Sequence, residues 1–348
     1  MPSMTRWRDR FGVRLVPAIA VVYAICFVVW RFLVASPLIV HWWPLQVSEI
    51  FAVWALVPVP FLLVAGLVWR SRWLWLSVLV PLIWLGSEYG TLFMPADPPA
   101  ARASVEGEML RVMTLNTWHE SDSEGEFAKF VNQHQPDLIA LQEVGSQFNV
   151  ELKALSDEWP YQMRAMAGPR DDVVLLSKFP IISEESDRDW RGCFCAQATI
   201  DWHGQVVRII VVHIWSPYYD FDTDGLVPRL RDFTTAHQNV AYDALLTQVQ
   251  ASREPLIVLG DFNTTERQPG YDRLYSAGLE DAHAAVGWGL GHTYPAPYSK
   301  FEWLPVSLIR IDHIFYDPSW RAKDVWTQPL MGSDHQSVMA DLQFVVGE

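Results

Sequence analysis

Three long apolar segments in the first hundred residues constrain the fold of this chain more than any other feature. They cover about residues 15–36, 50–69 and 73–93. A helix needs about 20 mostly apolar residues to cross a bilayer, and each segment approaches that length. A cleaved signal peptide would account only for the first of them. We therefore predict that residues 1–94 form a membrane anchor with three transmembrane helices, and that the protein is a multi-pass protein of the cell membrane.

The arginines near these segments are unevenly distributed. Six of them either precede the first segment or lie between the second and the third, and would therefore share one side of the membrane: Arg6, Arg8, Arg10, Arg14, Arg70 and Arg72. The connection 37–49 contains neither Lys nor Arg, and Arg31 can snorkel toward an interface. The positive-inside rule then places the N-terminus in the cytoplasm and everything after the third span outside it. The third span is the least supported of the three predictions, because Glu88 falls near its end. If only two segments crossed the membrane, the domain that follows would lie in the cytoplasm.

The remainder of the chain has the composition of a soluble domain with a large negative charge. The whole chain carries −14 and its first 100 residues +3, so residues 101–348 carry −17. Such a domain repels a nucleic-acid backbone unless metal ions intervene, although an acidic surface that only contacts solvent is equally compatible with this charge. We interpret the Pro- and Ala-rich residues 95–108 as a linker and residues 109–348 as a catalytic domain.

The pattern after residue 109 alternates between short apolar strands, helices and turns. Helices are predicted over residues 126–137 and 229–250. Strands are predicted over 110–118, 137–144, 173–181, 196–214 (a hairpin with its turn at His203-Gly204), 255–263, 307–317 and 333–345. This pattern is typical of an α/β domain.

Polar side chains stand where almost all of these strands end. They are Asn116, Glu143, His213, Asp261, Asn263, Asp312, Asp334 and His335. Any one of them alone is more simply interpreted as a turn residue or a hydrogen-bonded histidine. Together they indicate a site, because strand ends at one edge of a sheet converge in space. Carboxylates bind magnesium, amides contact phosphate oxygens, and histidines transfer protons.

Six short motifs give this chain a resemblance to a known superfamily. "TLNTW", "DLIALQEV", "VHIWSP", "LGDFNT", "RIDHIF" and "GSDHQSV" follow one another in this order. In combination they resemble the endonuclease/exonuclease/phosphatase superfamily, which has the deoxyribonuclease-I-like fold. The resemblance covers about residues 109–345. It implies a four-layer α/β sandwich, in which two mixed β-sheets pack face to face with helices outside.

The resemblance implies a role for each polar residue. Glu143 would be the principal ligand of a divalent cation, Mg²⁺ or Mn²⁺, with Asn116 and Asp334 beside it. No Ser or Cys with a neighbouring base is evident in the sequence, so the nucleophile would be water.

The remaining polar residues would act on that water and on the phosphate. Asp261 and Asn263 would orient the water and a phosphate oxygen. His335, oriented by Asp312, would contact the phosphate or the water, and His213 could protonate the leaving oxygen.

Two positions depart from the superfamily pattern. His313 stands where many members have Tyr, and we interpret it as structural. No Arg follows Glu143, where nucleases of the superfamily can use one to contact DNA. The second departure weakens a nuclease function without excluding it.

An aromatic segment before the strand of Asp312 bears on the substrate, which the fold alone does not select. Residues 288–315 contain Trp288, Tyr294, Tyr298, Phe301, Trp303 and Leu304. These side chains could rest on a bilayer or hold a lipid chain, or they could pack on the domain's own core. Three spans together with "GHTYP" also resemble the teicoplanin-resistance type membrane phosphatases, which act on undecaprenyl pyrophosphate. We predict His292, Tyr294 and Trp303 as substrate-binding residues.

The leading hypothesis from the sequence is a divalent-metal-dependent hydrolase of phosphoester or pyrophosphate bonds on a membrane-associated lipid phosphate. The alternative is a membrane-anchored nuclease that cleaves DNA or RNA. A binding module without catalysis would require lost metal ligands, and every expected ligand is present. The sequence does not determine the oligomeric state.

Overall fold

The structure of this protein is a computed structural model that describes residues 4–37, 41–94, 108–118, 125–165, 173–185, 193, 195–222 and 229–345, without the side chains of residues 4–13. It divides into two compact units, Met1–Phe93 and Met94–Glu348. The predicted linker 95–108 lies outside the described residues except for its last residue, Glu108.

The first unit is helical. Its helices are α1 (Met4–Val34), α2 (Trp43–Ile50), α3 (Pro58–Trp69) and α4 (Arg72–Tyr89), with 3-10 turns at Ala52–Leu56 and Gly90–Phe93. Three stretches are long and apolar enough to cross a membrane: Arg14–Val34, Ala52–Trp69 and Arg72–Phe93. They coincide with the three predicted segments to within a few residues.

The arginine inside the first apolar stretch has a partner within the unit. The Arg31 guanidinium donates to the Glu49 carboxylate of α2 and lies 4.9 and 5.0 Å from the ring centres of Trp30 and Trp84. Its charge is therefore compensated by a carboxylate and two aromatic faces, as expected for an ionisable side chain in an apolar segment. Arg31 therefore has partners within the unit, in addition to any extension of its side chain toward a membrane interface.

The second unit contains fourteen strands among the residues that the structure describes. They are β1 (Met109–Asn116), β2 (Leu138–Gln142), β3 (Tyr161–Ala165), β4 (Val173–Ser177), β5 (Ile181–Glu185), β6 (Ala196–Trp202), β7 (Gln205–His213), β8 (Tyr218–Asp222), β9 (Arg229–Thr234), β10 (Leu256–Asp261), β11 (Glu280–Asp281), β12 (Asp312–Tyr316), β13 (Trp320–Pro329) and β14 (Gln336–Phe344). The helices are α5 (Glu126–His134), α6 (Asn149–Ala154), α7 (Ala236–Ala251), α8 (Pro269–Ser276) and α9 (Ala282–Val286).

The strands form two mixed six-stranded sheets and one separate hairpin. The first sheet has the order β13-β14-β1-β2-β4-β3, the second β11-β12-β10-β7-β6-β5, and β8 pairs with β9. One parallel pair occurs in each sheet, β1 with β2 and β7 with β10, and the other pairs are antiparallel. The predicted α/β sandwich of two mixed sheets with flanking helices is confirmed.

Three apolar cores define the layers. The largest lies between the sheets and includes Val112 of β1 and Leu259 of β10. A second core packs α7 and α8 on the outer face of one sheet, through Leu245 and Leu274 among others. The third packs α5 and α6 on the other sheet, with Phe127 at its centre. Burial on both faces explains why the central strands are continuous apolar runs.

One predicted element was wrong. The helix predicted over 229–250 begins only at Ala236, and Arg229–Thr234 is strand β9. Phe233 and Leu230 are the register partners of Tyr219 and Phe221 in β8. Apolar residues three apart share one face of a helix, whereas a regular strand would place them on opposite faces. Here the register with β8 has an irregularity between Asp220 and Phe221, and the long-range pairing decided the conformation.

Candidate active site

The register of the second sheet brings three polar strand ends together. Asp261 is the last residue of β10, and it is the register partner of His213 on β7 and of Asp312 on β12. In the first sheet, β1 ends at Asn116 and Glu143 follows β2 directly. Both sheets therefore deliver their polar residues to the same edge of the sandwich.

A glycine makes this register possible. Gly260 has φ 152°, and a Cβ atom on it would stand 1.9 Å from the carbonyl oxygen of Val212 on the adjacent strand. Any other residue would push β10 away from β7. The glycine in "LGDFN" thus holds Asp261 level with His213.

Two site residues have left-handed backbone conformations. Asn263 has φ 48° and Glu143 has φ 53°. Asn adopts this region readily, whereas a glutamate there is uncommon. Such conformations persist where the surrounding structure imposes them, and they concentrate at functional sites.

The side-chain amide of Asn116 bridges the two sheets. Its Nδ2 donates to Glu143 Oε1 at 2.9 Å and to Asp261 Oδ2 at 3.0 Å. Its Oδ1 accepts from the backbone N–H of Trp118 at 3.0 Å. Asn116 therefore fixes the separation of the two carboxylates.

Asn263 is tied to the same carboxylate. Its backbone N–H donates to Asp261 Oδ1 at 2.8 Å, and its Nδ2 donates to Asp261 Oδ2 at 3.2 Å and to the carbonyl of Ile214 at 2.9 Å. The strand ends at Asp261, and the turn that follows it brings Asn263 back onto the Asp261 carboxylate.

His335 and Asp312 form a buried pair beside Asp261. His335 Nδ1 lies 2.9 Å from Asp312 Oδ2, and its Nε2 lies 3.9 Å from Asp261 Oδ2 and 4.0 Å from Asp334 Oδ1. Burial alone would lower the pKa of His335, but the Asp312 and Asp261 carboxylates outweigh it and raise that pKa to about 10. The imidazole is therefore protonated at neutral pH and donates from Nδ1 to Asp312.

Burial has the opposite effect on Asp261. Together with the nearby Asp312 carboxylate, burial raises the pKa of Asp261 to about 7, although His335 and Asn116 oppose the shift. A carboxylate in this range can accept a proton near neutral pH.

His213 faces the same carboxylates from β7. Its Nε2 lies 3.6 Å from Glu143 Oε1 and 3.9 Å from Asp261 Oδ2, and the side chain is buried. The contacts of Asn116, Asn263, His213 and His335 thus connect all eight polar residues predicted at strand ends into one cluster.

The donor set suits a hard divalent cation. Among the described residues, Asp261, Asp312 and His335 form the group whose ligand atoms all lie within 4.8 Å of one another. The protonated His335 already offsets one of the two carboxylate charges of this group. Glu143 is a carboxylate at the more open side of the site, with 21% of its side chain exposed. A magnesium ion retains several waters and needs such an opening. The exposure and the donor type of Glu143, with Asn116 beside it, therefore suit a binding position for the ion.

Asp334 stands apart from the other two predicted metal ligands. Its carboxylate lies 4.0 Å from His335 Nε2 and 3.4 Å from Lys300 Nζ, whereas Asn116 and Glu143 contact each other. The three predicted ligands thus line one site, but Asp334 is joined to it through His335.

The three predicted substrate-binding residues have different surroundings. The ring of Tyr294 lies 4.8 Å from that of His335 and so borders the site. Trp303 is 77% exposed on its loop. His292 is half-buried, and its Nδ1 lies 3.1 Å from the carbonyl of Ser307, so it helps to hold the loop together.

Sequence reasoning missed two supporting residues and a buried charge pair. Ser333 Oγ donates to the carbonyl of Asn116 at 2.7 Å and accepts from the backbone N–H of His335 at 2.9 Å. The Thr293 hydroxyl accepts from the backbone N–H of Asp312 at 3.3 Å. Ser333 lies within "GSDHQSV" and Thr293 within "GHTYP", but a hydroxyl residue in these motifs gives no signal for a supporting role.

The charge pair lies behind the turn that carries Asn263. Arg310 donates to the Asp281 carboxylate, and its Nη1 lies 3.1 Å from His313 Nδ1. The opposite ring nitrogen of His313 donates to the carbonyl of Thr264 at 2.8 Å. Burial would raise the pKa of Asp281, but Arg310 and His313 outweigh it and hold that pKa well below its usual range. An arginine within the apolar segment "SLIRIDHIF" was the available sequence signal.

A sandwich of two mixed sheets with carboxylates, amides and histidines at their common edge defines a class, the hydrolases of phosphoester bonds. The sequence matches the endonuclease/exonuclease/phosphatase family over residues 113–335, and the chain belongs to this family. Its members are phosphatases and nucleases, so this protein is an enzyme that hydrolyses phosphoester bonds. Members of the family generally depend on a divalent metal.

Solved structures with low sequence identity share the fold. A family member from Bacteroides vulgatus has a TM-score of 0.53 at 15% identity, over 68% of this chain and 100% of that one. The 3′ phosphatase NExo from Neisseria, bound to a product DNA hairpin, has a TM-score of 0.53 at 18% identity, with the same coverage. The human Nocturnin catalytic domain with bound sulfate has a TM-score of 0.51 at 18% identity, over 72% of this chain and 100% of that one. No protein in the curated set matches the sequence significantly.

Proposed function

We propose that this protein is a magnesium- or manganese-dependent phosphohydrolase that acts on a phosphoester or pyrophosphate of a membrane-associated lipid. The observation that carries the proposal is the exposed aromatic loop beside the catalytic cluster. Trp288, Tyr298, Phe301 and Trp303 are 72%, 64%, 43% and 77% exposed. Tyr294, in the same loop, contacts the His335 ring.

The hairpin β8–β9 exposes further aromatic side chains on the catalytic domain. Tyr218, Tyr219 and Phe221 are all exposed. Burial raises the pKa of the Tyr294 phenol, and Lys300 opposes this shift. Aromatic side chains with one polar end suit the interface between lipid and water, and soluble proteins seldom cluster them at the surface without a partner. The same chain carries three helices of membrane-crossing length.

The polar residues of the site would have different roles in the hydrolysis. Asp261, held by Asn116 and Asn263, would orient the attacking water and accept its proton. The protonated His335, held by Asp312, would stabilise the charge that develops on the phosphate oxygens. His213 would protonate the leaving oxygen.

Glu143, with Asn116 and Asp334 nearby, would hold the divalent cation. A bound cation of this kind would supply charge neutralisation on the phosphate. The backbone of Glu143 in the left-handed region and the hydrogen bond from Asn116 restrict where its carboxylate can point.

The proposed location is the cell membrane, with the catalytic domain outside the cytoplasm. The support is the arginine asymmetry around the three apolar stretches. Protease treatment of intact spheroplasts should degrade residues 109–348. Protection of this domain until lysis would place it in the cytoplasm and would favour nucleic acid as substrate.

One assay tests the substrate class. The full chain in detergent should release phosphate from polyprenyl or diacyl lipid phosphates with magnesium, and not with excess chelator. DNA, RNA and soluble inositol phosphates serve as the comparison. Faster hydrolysis of DNA or RNA than of every lipid phosphate would refute the lipid proposal and identify a membrane-anchored nuclease.

A further inference from the structure

A lysine stands at the edge of the catalytic cluster and has no part in the chemistry described so far. Lys300 Nζ lies 3.1 Å from the Tyr294 hydroxyl and 3.4 Å from Asp334 Oδ2. Its side chain is 45% exposed, whereas that of Asp334 is 5% exposed. The ammonium group therefore faces solvent on one side and the cluster on the other.

The loop that carries Lys300 is fastened to the catalytic segment. The backbone N–H of Ala296 donates to the carbonyl of Asp334 at 2.6 Å, and that of Gln336 donates to the carbonyl of Thr293 at 2.8 Å. The Tyr294 ring lies against that of His335. These contacts on both sides of His335 restrict where the lysine can reach.

The charge balance around the lysine points to an anion. A cation held by the carboxylates would offset the negative charge that Lys300 now contacts through Asp334. The lysine charge would then be available to a negatively charged substrate group at the mouth of the site. Lysine binds phosphate oxygens as a point charge, and its effect grows with the charge of the phosphate.

We infer that Lys300 is a specificity-determining residue that binds a dianionic phosphate, either a phosphomonoester or the terminal phosphate of a pyrophosphate. A phosphomonoester carries close to two negative charges at neutral pH and a phosphodiester carries one. The lysine would therefore favour removal of a terminal phosphate over cleavage of an internal diester. The inference rests on the proposed phosphohydrolase function and narrows its substrate class.

The test uses the full chain in detergent with magnesium and two soluble probes, p-nitrophenyl phosphate and bis(p-nitrophenyl) phosphate. Lys300→Met should lower kcat/KM for the monoester by about 10-fold or more, as for loss of a charge-assisted hydrogen bond, mostly through KM. The loss on the diester should stay below about 3-fold. Lys300→Arg keeps the charge and should recover most of the monoester activity.

Lys323→Met is the matched control. Lys323 lies between Ala322 and Asp324, the partners of Leu342 and Asp341 on β14. This is six residues along the strand from His335, or about 20 Å. The control variant should leave both activities unchanged.

Equal losses on the two probes, with a higher magnesium requirement, would show that Lys300 only supports Asp334 and would overturn the inference. Unchanged monoester kinetics would overturn it as well. A wild-type chain that hydrolyses neither probe, nor any lipid phosphate, with any divalent cation would instead refute the proposed function, and this inference with it.

Discussion

His335 Nδ1 lies 2.9 Å from Asp312 Oδ2, and both side chains are buried. The two residues are 23 positions apart in the sequence, on the loop before β14 and at the start of β12. This pair keeps an imidazolium ion 3.9 Å from the Asp261 carboxylate. Whether His335 is protonated therefore depends on Asp312.

Asp312→Asn should lower kcat by about 100-fold or more, because His335 loses the carboxylate that holds it protonated. Since Asp312 raises the pKa of His335, the variant should lose the imidazolium at a lower pH than the wild type does. Its activity should then decline earlier as pH rises, which a kcat–pH profile measures. Asp341→Asn, at the far end of β14, is the control. A profile and a kcat equal to those of the wild type would contradict the proposed role.

Asp261→Asn should reduce turnover by at least about 100-fold, because the amide cannot accept a proton from water. The size of the side chain is preserved and the proposed cation ligand Glu143 is unchanged, although the single amide oxygen can accept only some of the hydrogen bonds that Asn116 and Asn263 donate to the carboxylate. Binding should therefore survive, with KM or product inhibition changed by less than about 5-fold. Loss of binding together with turnover would indicate that Asp261 holds the metal instead of the water.

Removal of divalent cations should abolish activity, and magnesium or manganese should restore it, because the site is rich in oxygen donors. Glu143→Gln should raise the magnesium concentration needed for half-maximal activity by about 10-fold or more. The exposed Glu158→Gln is the control. Full activity in excess chelator would show that the chain's own residues suffice.

Replacing Trp303 and Leu304 by Ser should raise KM for a lipid phosphate in mixed micelles and leave kcat for p-nitrophenyl phosphate nearly unchanged. Trp303 is 77% exposed, so its loss should cost little stability. Val206→Ser, on an exposed position at the opposite end of β7 from His213, controls for lost apolar surface. Equal losses on both substrates would mean that the loop only supports the strand of Asp312.

Arg310→Met should destabilise the fold by about 3 kcal/mol or more, because the buried Asp281 loses its cation. In the wild type the pKa of Asp281 lies below its usual value of 3.8, so its contribution is present above that value and is lost as pH falls. Without Arg310, burial raises this pKa, so the variant should lose stability as pH rises. Thermal unfolding at pH 4 and pH 7.5 should show the larger deficit at pH 7.5, and Arg321→Met should show none. An equal deficit at both pH values would argue against a charged Asp281.

Local patterns in the chain predicted the α/β sandwich, and they also predicted that the polar strand ends lie close together. Apolar runs long enough to span a bilayer, and shorter runs that end in Asp, Asn, Glu or His, are local patterns that a chain displays before it folds. For this reason the three apolar stretches of membrane-crossing length, the central strands β1, β2, β7 and β10, and the cluster around Asp261 could all be predicted.

Tertiary structure decided what depends on partners distant in the sequence. Strand β9 was predicted as helix because only its pairing with β8 distinguishes the two conformations. The Arg310–Asp281 pair spans 29 residues, and the contact of Lys300 with Asp334 spans 34. When the partner of a charged side chain comes from another element of the fold, the residues near that side chain in the sequence do not reveal it. Which cation neutralises which carboxylate was therefore set by the packing of loops and strands and not by any local pattern.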